Sequence, residues 1–381
     1  MSQILFVYTE ELKMVKNTPK NSNLNRANID ANDEFYTQLS DIERELKYYR
    51  HYFKDKIVFC NADDPFESNF FKYFVLNFNR LGLKQLITTS YSGSPIMGQQ
   101  LSIFDFIENK SEEKTIAYKA VVNKVYDTTG DGSIDLFDVK ELFKIGENSL
   151  TELKGNGDFR SDECLALLEL SDIVVTNPPF SLFREYVTTL VDYKKDFIII
   201  GNQNEPTSKQ IFPLLKNNKM WFGMTKPKEF IVPNDNLERK NTYVRDDGKI
   251  MAKFGNTCWF TNLDIPKRHE ELILVKKYEG NESEFPEYDN YNAIEVSKVV
   301  NIPYDYEGIM GVPVSFLDKY NPDQFIIEGM AAGNSRVSGF NYDVNYTPHP
   351  EDRGGCGVVA GKRVYARILI RNKHPEIGSV K

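Results

Sequence analysis

Cysteine is scarce and scattered in this chain. Its four copies, Cys60, Cys164, Cys258 and Cys356, form no Cys-x-x-Cys pair, which excludes a zinc-ribbon or redox-motif reading. Thiols without framework spacing fit a reducing compartment, so the cytoplasm is the expected location. No apolar run approaches the roughly 20 residues that a membrane span requires, and no membrane partner is expected. The apolar stretch at residues 4–8 is too short and too weakly flanked for a signal peptide. A Gly-rich turn of the nucleotide-cradling kind is missing after the first expected strand. Excess positive charge is missing too. The formal net charge is −8, which argues against a non-specific nucleic-acid coat but leaves room for a local basic surface.

What remains is a globular composition. Of 381 residues, 41% are hydrophobic and 27% charged, enough for two domains with at least one full core. Residues 1–32 end in an Asn-rich polar run, expected as a flexible arm. Residues 33–55 read as helical, with Ile42, Leu46 and Tyr49 on one face. Apolar runs at 57–60, 86–90, 173–176 and 197–200 read as strands. Residues 220–222 and 258–260 are candidates for two more, with a polar, basic excursion between them. A helix is expected over 68–81, where Phe70, Phe71, Phe74 and Val75 make an apolar face. Residues 92–150 interrupt the alternation and read as an insertion. Strands alternating with helices predict an α/β domain over 33–262, its mainly parallel sheet covered by helices on both faces. Beyond that, Tyr, Asn, Gly and Pro become frequent, and residues 263–381 read as a smaller α+β domain.

The most informative stretch follows the 173–176 strand. Asn177-Pro178-Pro179-Phe180 is a stiff turn whose two prolines fix φ and remove two backbone donors. It offers carbonyls, a side-chain amide before them and a ring after them, at a strand end where ligands sit in open α/β sheets. That set suits a flat molecule with an exocyclic amino group. Other strand-end sites are candidates to hold a cofactor. Asn61, Asp63 and Asp64 end the first strand, although Asp64-Pro65 is also good helix-cap chemistry. Asp158 and Phe159 could clamp an adenine or make a simple turn after Gly157. Phe35, Tyr36 and Thr37 precede the first helix, with Thr37 an alternative N-cap.

Taken together, Asp33-Glu34-Phe35-Tyr36-Thr37-Gln38, Asn61-Ala62-Asp63-Asp64-Pro65, Gly157-Asp158-Phe159-Arg160-Ser161 and Asp172 to Tyr186 resemble, in order, the blocks of the EcoRI-type adenine-N6 DNA methyltransferases. Trp259 to Asp264 and Met310-Gly311-Val312-Pro313 extend the likeness, which spans roughly residues 33–320. The resemblance implies a Rossmann-like S-adenosylmethionine-dependent catalytic domain and a C-terminal target-recognition domain. It implies S-adenosylmethionine as cofactor, an adenine in double-stranded DNA as substrate, and a cognate restriction endonuclease as a separate partner. On this view Phe35, Tyr36 and Thr37 meet the methionine end of the cofactor, Asp63 or Asp64 its amino group or ribose, and Asp158 and Phe159 its adenine. One departure is that the second strand ends in Thr89-Ser90-Tyr91, without the usual ribose-binding acid.

Asn177 and Pro178 would then accept the two N–H groups of the adenine amine, and Phe180 would stack on the flipped base. Trp259 and Phe254 are candidates for a second ring, with a core role the more common alternative. Basic residues Lys226, Lys228, Arg239, Lys240 and Arg245 form one candidate DNA contact. Lys362, Arg363, Arg367 and Arg371 form another. Residues 127–138 have calcium-loop spacing, with Asp127, Asp131, Asp135 and Asp138 among the oxygen donors. The bland alternative is a solvated acidic turn, and no catalytic metal is expected. Two further functions stand beside methylation of DNA: amino-methylation of RNA or of a protein glutamine, and a non-enzymatic calcium-regulated DNA-binding module.

Overall fold

The structure is a computed structural model that describes residues 36–61, 63, 68–91, 117–128, 130, 134, 138, 141–144, 146–231, 242–333, 335 and 344–376, with Tyr36 by its backbone alone. The expected arm, residues 1–32, lies outside these. The described chain opens with β1 (Tyr36–Thr37), α1 (Leu39–Leu46), β2 (Ile57–Asn61), α2 (Asn69–Leu76), α3 (Phe78–Leu81) and β3 (Gln85–Thr89). There follow β4 (Tyr118–Val122), β5 (Ser149–Glu152), α4 (Asp162–Leu170), β6 (Ile173–Thr176), α5 (Phe183–Asp192), β7 (Asp196–Asn202) and α6 (Phe212–Lys216). Next come β8 (Trp221–Phe222), β9 (Glu229–Ile231), β10 (Thr242–Val244), β11 (Ile250–Lys253) and β12 (Thr257–Thr261).

The main sheet has eight strands in the order β5-β4-β3-β2-β6-β7-β12-β8. Its centre, β3-β2-β6-β7, is parallel, as the alternation of strands and helices predicts. Both flanks are antiparallel, so the sheet is mixed rather than mainly parallel. On the β12 side the reason is in the connection: β12 is entered from β11 with no helix between them, and a strand that needs no crossover is free to pair antiparallel. β4 lies within the segment read as an insertion, yet it pairs with β3 inside this sheet.

The central strands read as continuous apolar runs because both faces are covered. Ile173 and Val175 of β6 point into one hydrophobic cluster with Ile42, Phe70 and Trp259, while Val174 points into the other with Phe183 and Phe197. Each fully buried Val, Ile or Phe contributes about 1.5–3 kcal/mol relative to exposure.

Local chemistry sets the helix ends. The Ser68 side chain accepts from Phe70 N at 3.0 Å and Phe71 N at 3.4 Å and so caps α2. The expected helix over 68–81 is broken at Asn77, whose Nδ2 donates back to the Tyr73 carbonyl at 2.7 Å. Such self-bonding competes with helix continuation and splits α2 from α3. At α1 the N-cap is Gln38, without a side-chain cap bond, rather than the alternative Thr37.

The polar excursion expected between the last two strands has a structure of its own. Its residues join β1 in an all-antiparallel sheet, β1-β9-β11-β10, in which Thr37 pairs with Phe230. The C-terminal part contains β13 (Ile294–Glu295), β14 (Met310–Pro313), β15 (Phe325–Ala331), the hairpin β16 (Val358–Val359) and β17 (Lys362–Arg363), and β18 (Arg367–Asn372). Four of these form a sheet in the order β13-β14-β18-β15. Its apolar residues, Met310, Ile327 and Ile368 among them, join the same cluster as Val174 and Phe197. No described helix is long and apolar enough to cross a membrane.

Candidate active site

Strand order reverses between β2 and β6. The chain leaves β2 toward β3 on one side and leaves β6 toward β7 on the other, and in open α/β sheets the crevice at such a point, at the carboxyl ends, binds ligands. Asn61, Asp63, Thr176 and Asn177 all lie there. Asp63 is buried. Ser68 Oγ donates to its Oδ1 at 2.8 Å, and the Thr176 hydroxyl faces its Oδ2. The Asn61 Oδ1 accepts from Thr89 Oγ1 at 2.9 Å, which ties the ends of β2 and β3 together.

The first block reaches the same place. Asn69, beside the Ser68 cap, donates through Nδ2 to the Thr37 carbonyl at 2.7 Å. Thr37, Asn69, Ser68, Asp63 and Thr176 are therefore linked by bonds and neighbours from β1 to β6. The Thr37 hydroxyl is buried and has no hydrogen-bond partner among the described residues. Phe35 and Asp64 lie outside the described residues.

The third block is pinned against the end of β3. Gly157 has φ +78°, and a Cβ there would come within 1.9 Å of the Ser90 carbonyl oxygen, so only glycine permits this approach. Phe159 is buried and meets Tyr186 edge-on at 5.0 Å. Asp158 is held by its own neighbour: Arg160 Nε lies 2.9 Å from Oδ1 and Nη2 lies 2.6 Å from Oδ2. That guanidinium keeps the carboxyl below the usual range despite partial burial.

Asn177 follows β6 directly and is half-buried, Pro178 is buried, and Phe180 is half-buried at the start of a single 3₁₀ turn, Phe180–Leu182. The Pro179 carbonyl accepts from Leu182 N at 3.0 Å and closes that turn. The turn holds the amide and the Pro178 carbonyl on a rigid bend at the mouth of the crevice. Trp259 takes the core role: it is fully buried and packs edge-on against Phe70. Phe254 lies against Phe230 at 5.5 Å.

The family model for the adenine-specific methyltransferase EcoRI matches residues 23–373. The chain belongs to the EcoRI-type adenine-specific DNA methyltransferases. It is 44% identical to the type II methyltransferase M.EcoRI of Escherichia coli over 93% of this chain and 97% of the relative. It is 35% identical to M.MgeORF184P of Mycoplasma genitalium over 92% of this chain and 98% of the relative. It is 34% identical to M.MpnI of Mycoplasma pneumoniae, again over 92% and 98%. No solved structure matches it. The function of this EcoRI-type methyltransferase is accordingly DNA adenine methylation of the restriction–modification kind.

The basic residues of the methyltransferase are unequally placed. Lys226 Nζ lies 3.5 Å from Asp318 Oδ2, and the Lys228 amide donates to Asp41 Oδ2 at 3.0 Å. Arg367 forks onto Glu295 at 2.6 and 2.9 Å, and Arg371 meets Glu328 at 2.9 Å. Lys362 and Arg363 are exposed on β17. Arg239 and Lys240 lie outside the described residues. So do Asp131 and Asp135 of the acidic loop. Of its other two acids, Asp127 Oδ1 accepts from Gly130 N and Asp138 Oδ1 from Thr128 N, each at 2.6 Å, as in a turn closed on itself. No group of three metal-binding side chains occurs among the described residues.

Sequence reasoning passed over Thr176 and Ser68, which frame Asp63. Thr176 looked like strand and Ser68 like the start of a helix. The available signal was position alone: polar hydroxyls where a buried strand and a helix meet the same crevice.

Proposed function

We propose that this chain transfers a methyl group from S-adenosylmethionine to the N6 amino group of an adenine swung out of duplex DNA. The observation that carries this reading is the seat of Asn177-Pro178-Pro179-Phe180 at the carboxyl end of β6, on the crevice where strand order reverses. The strand order supports a Rossmann-like catalytic domain over residues 33–262, whose sheet takes in β4 from the segment 92–150. Residues 263–381 are read as the target-recognition domain.

The residues at the crevice fit the cofactor. A buried hydroxyl without a partner costs about 1–3 kcal/mol, and the Thr37 hydroxyl is in that state among the described residues, as expected where a ligand supplies the missing bond. Thr37 with Phe35 and Tyr36, Asn61 with Asp63 or Asp64, and Phe159 with Asp158 would hold the methionine end, the ribose side and the adenine in turn. The cofactor supplies an electrophilic methyl group.

Everything else falls to the protein. The adenine amine is a poor nucleophile because its lone pair is delocalised into the ring. The Asn177 side-chain oxygen and the Pro178 carbonyl accept its two N–H groups, draw the nitrogen toward tetrahedral geometry and free the lone pair. This is positioning with preorganised dipoles and needs no titrating base. The amine is out of reach inside a stacked duplex, so the base must flip, and Phe180 stacks on it, a contact of about 1–3 kcal/mol. A cognate restriction endonuclease acts separately, and both work in the cytoplasm.

Transfer of tritiated methyl groups to duplex DNA, RNA and protein, run side by side, tests the reading. Label should enter DNA alone, as N6-methyladenine. Label in RNA or in protein glutamine would overturn it.

A further inference from the structure

Two large depressions open on the described surface, and they carry opposite charge. One, of about 510 Å³, is lined by the carboxylates Glu271, Asp323 and Glu376 and, among the described residues, by no lysine or arginine. The other, of about 880 Å³, is lined by Arg353, Arg363 and Arg367 and, among the described residues, by no carboxylate. The whole chain has 55 acidic against 47 basic side chains. A basic groove on an acidic protein concentrates an attractive field where a polyanion is to lie.

The groove also stands in the right place. One wall is Asn204 and Thr207, in the loop that leaves the carboxyl end of β7. Since β7 runs parallel beside β6, the groove opens at the same end of the sheet as Asn177. Glu205, the acid of that loop, is neutralised by Arg184 at 2.7 Å. The other walls come from the C-terminal sheet and the residues that follow its strands, from Arg353 and Cys356 ahead of β16, and from residues 363–367.

Its three arginines are not equivalent. Arg367 is committed to Glu295. Arg353 and Arg363 are exposed and form no ion pair among the described residues, so their guanidinium forks are available for phosphate oxygens. Between Arg363 and Arg367 sits Tyr365, 79% exposed. An aromatic ring left in solvent beside such cations has the composition of a surface that grips nucleic acid by backbone charge and base stacking.

We propose that this groove seats the DNA duplex while the target adenine is presented to Asn177, with Arg353 and Arg363 on phosphates and Tyr365 against a base. The assignment rests on the methyltransferase reading above and adds the surface that holds the substrate.

Fluorescence anisotropy against salt concentration tests it, with a duplex that the wild type methylates. The variants are Arg353→Gln/Arg363→Gln, Arg353→Lys/Arg363→Lys, Tyr365→Ala and Tyr365→Phe. Lys277→Gln, paired with Glu279 and outside the groove lining, is the control. The slope of log K against log salt should fall by about 1.8 in the Gln pair, roughly 0.9 for each phosphate no longer neutralised, and stay near the wild-type value in the Lys pair and the control. Tyr365→Ala should weaken binding by on the order of tenfold and Tyr365→Phe should not. Calorimetry should find cofactor affinity unchanged throughout, which also reports that each variant is folded. Wild-type slope in the Gln pair together with wild-type affinity in Tyr365→Ala would overturn the groove assignment. Failure of the wild type itself to bind S-adenosylmethionine or methylate any duplex would instead sink the methyltransferase reading.

Discussion

The Thr176 hydroxyl stands between Asp63 Oδ2 and the Asn61 carbonyl, joining the end of β6 to the end of β2 across the crevice. A hydroxyl has one proton to give, so it serves as the shared link of a short polar chain that Ser68 completes on the other side of Asp63. Replacing Thr176 with Val keeps the shape and removes the link. Asp63 is then a buried acceptor short of one partner, at a cost of about 1–3 kcal/mol. Urea unfolding should show that loss, and calorimetry should show weaker S-adenosylmethionine binding. Unchanged binding would separate Asp63 from the cofactor site.

In the proposed reaction Asn177 acts on the amine rather than on the cofactor. Asn177→Ala removes one of two dipoles aimed at the reacting nitrogen and should slow single-turnover methylation by about 10²–10³-fold, the usual scale for removing one preorganised hydrogen-bonding group. Cofactor affinity should stay within roughly a factor of two, since the mutated side chain is assigned to the transition state. Equal losses in turnover and in cofactor binding would refute the role.

The strand and the turn that carry the candidate site were legible because their signals are local. Residues 173–175 alternate between two apolar clusters, and the Pro-Pro turn behind the strand is stiff by its own chemistry. Asn61 and Asp63 stand at the carboxyl end of β2, whereas Asp158 and Phe159 lie in the loop between β5 and α4 and not at the strand end expected for them. Partners distant in sequence were not legible. Nothing near Thr37 announces that it pairs with Phe230, and nothing near Lys226 or Arg367 announces Asp318 or Glu295. Charge clusters read from composition therefore mixed committed cations with available ones, and Arg353, isolated in sequence, was missed. The direction of the flanking strands was hidden because a strand's residues record its burial, not its orientation relative to its neighbour.

Gly157 tests whether the third block works by backbone approach. Gly157→Ala places a methyl group against the Ser90 carbonyl and forces a side chain into positive φ, a strain of about 1–3 kcal/mol before any movement. The chain should relieve it by shifting residues 158–159 away from β3. Thermal unfolding should show a lower midpoint, and cofactor affinity should drop even at temperatures where the variant is fully folded. Full-strength cofactor binding by the folded variant would mean that Asp158 and Phe159 do not contact the adenine moiety.

Glu45 offers a test by pH. It lies on α1, fully buried, and its carboxylate accepts from Met224 N and Tyr49 OH at 2.8 Å and from Thr225 N and Oγ1 at 2.6 Å. It thereby fixes the loop that enters β9, the strand paired with β1 and hence with Thr37. Gly223 is part of the same fit, since a Cβ there would fall 2.3 Å from Glu45 Oε1. Burial raises the Glu45 pKa above 4.5, and the four hydrogen bonds offset only part of the shift. The folded state therefore holds this proton more tightly than the unfolded chain does. Its contribution is complete below the unfolded value of about 4.5 and is lost as pH rises through the higher folded value. Glu45→Gln removes the titration and also sets an amide N–H group against backbone donors, so the variant should be less stable at acid pH. That deficit should shrink as pH rises across the window, because only the wild type pays to ionise. Urea midpoints of both proteins along a pH series decide the matter, and a deficit that stays constant or grows would show that burial does not raise the Glu45 pKa.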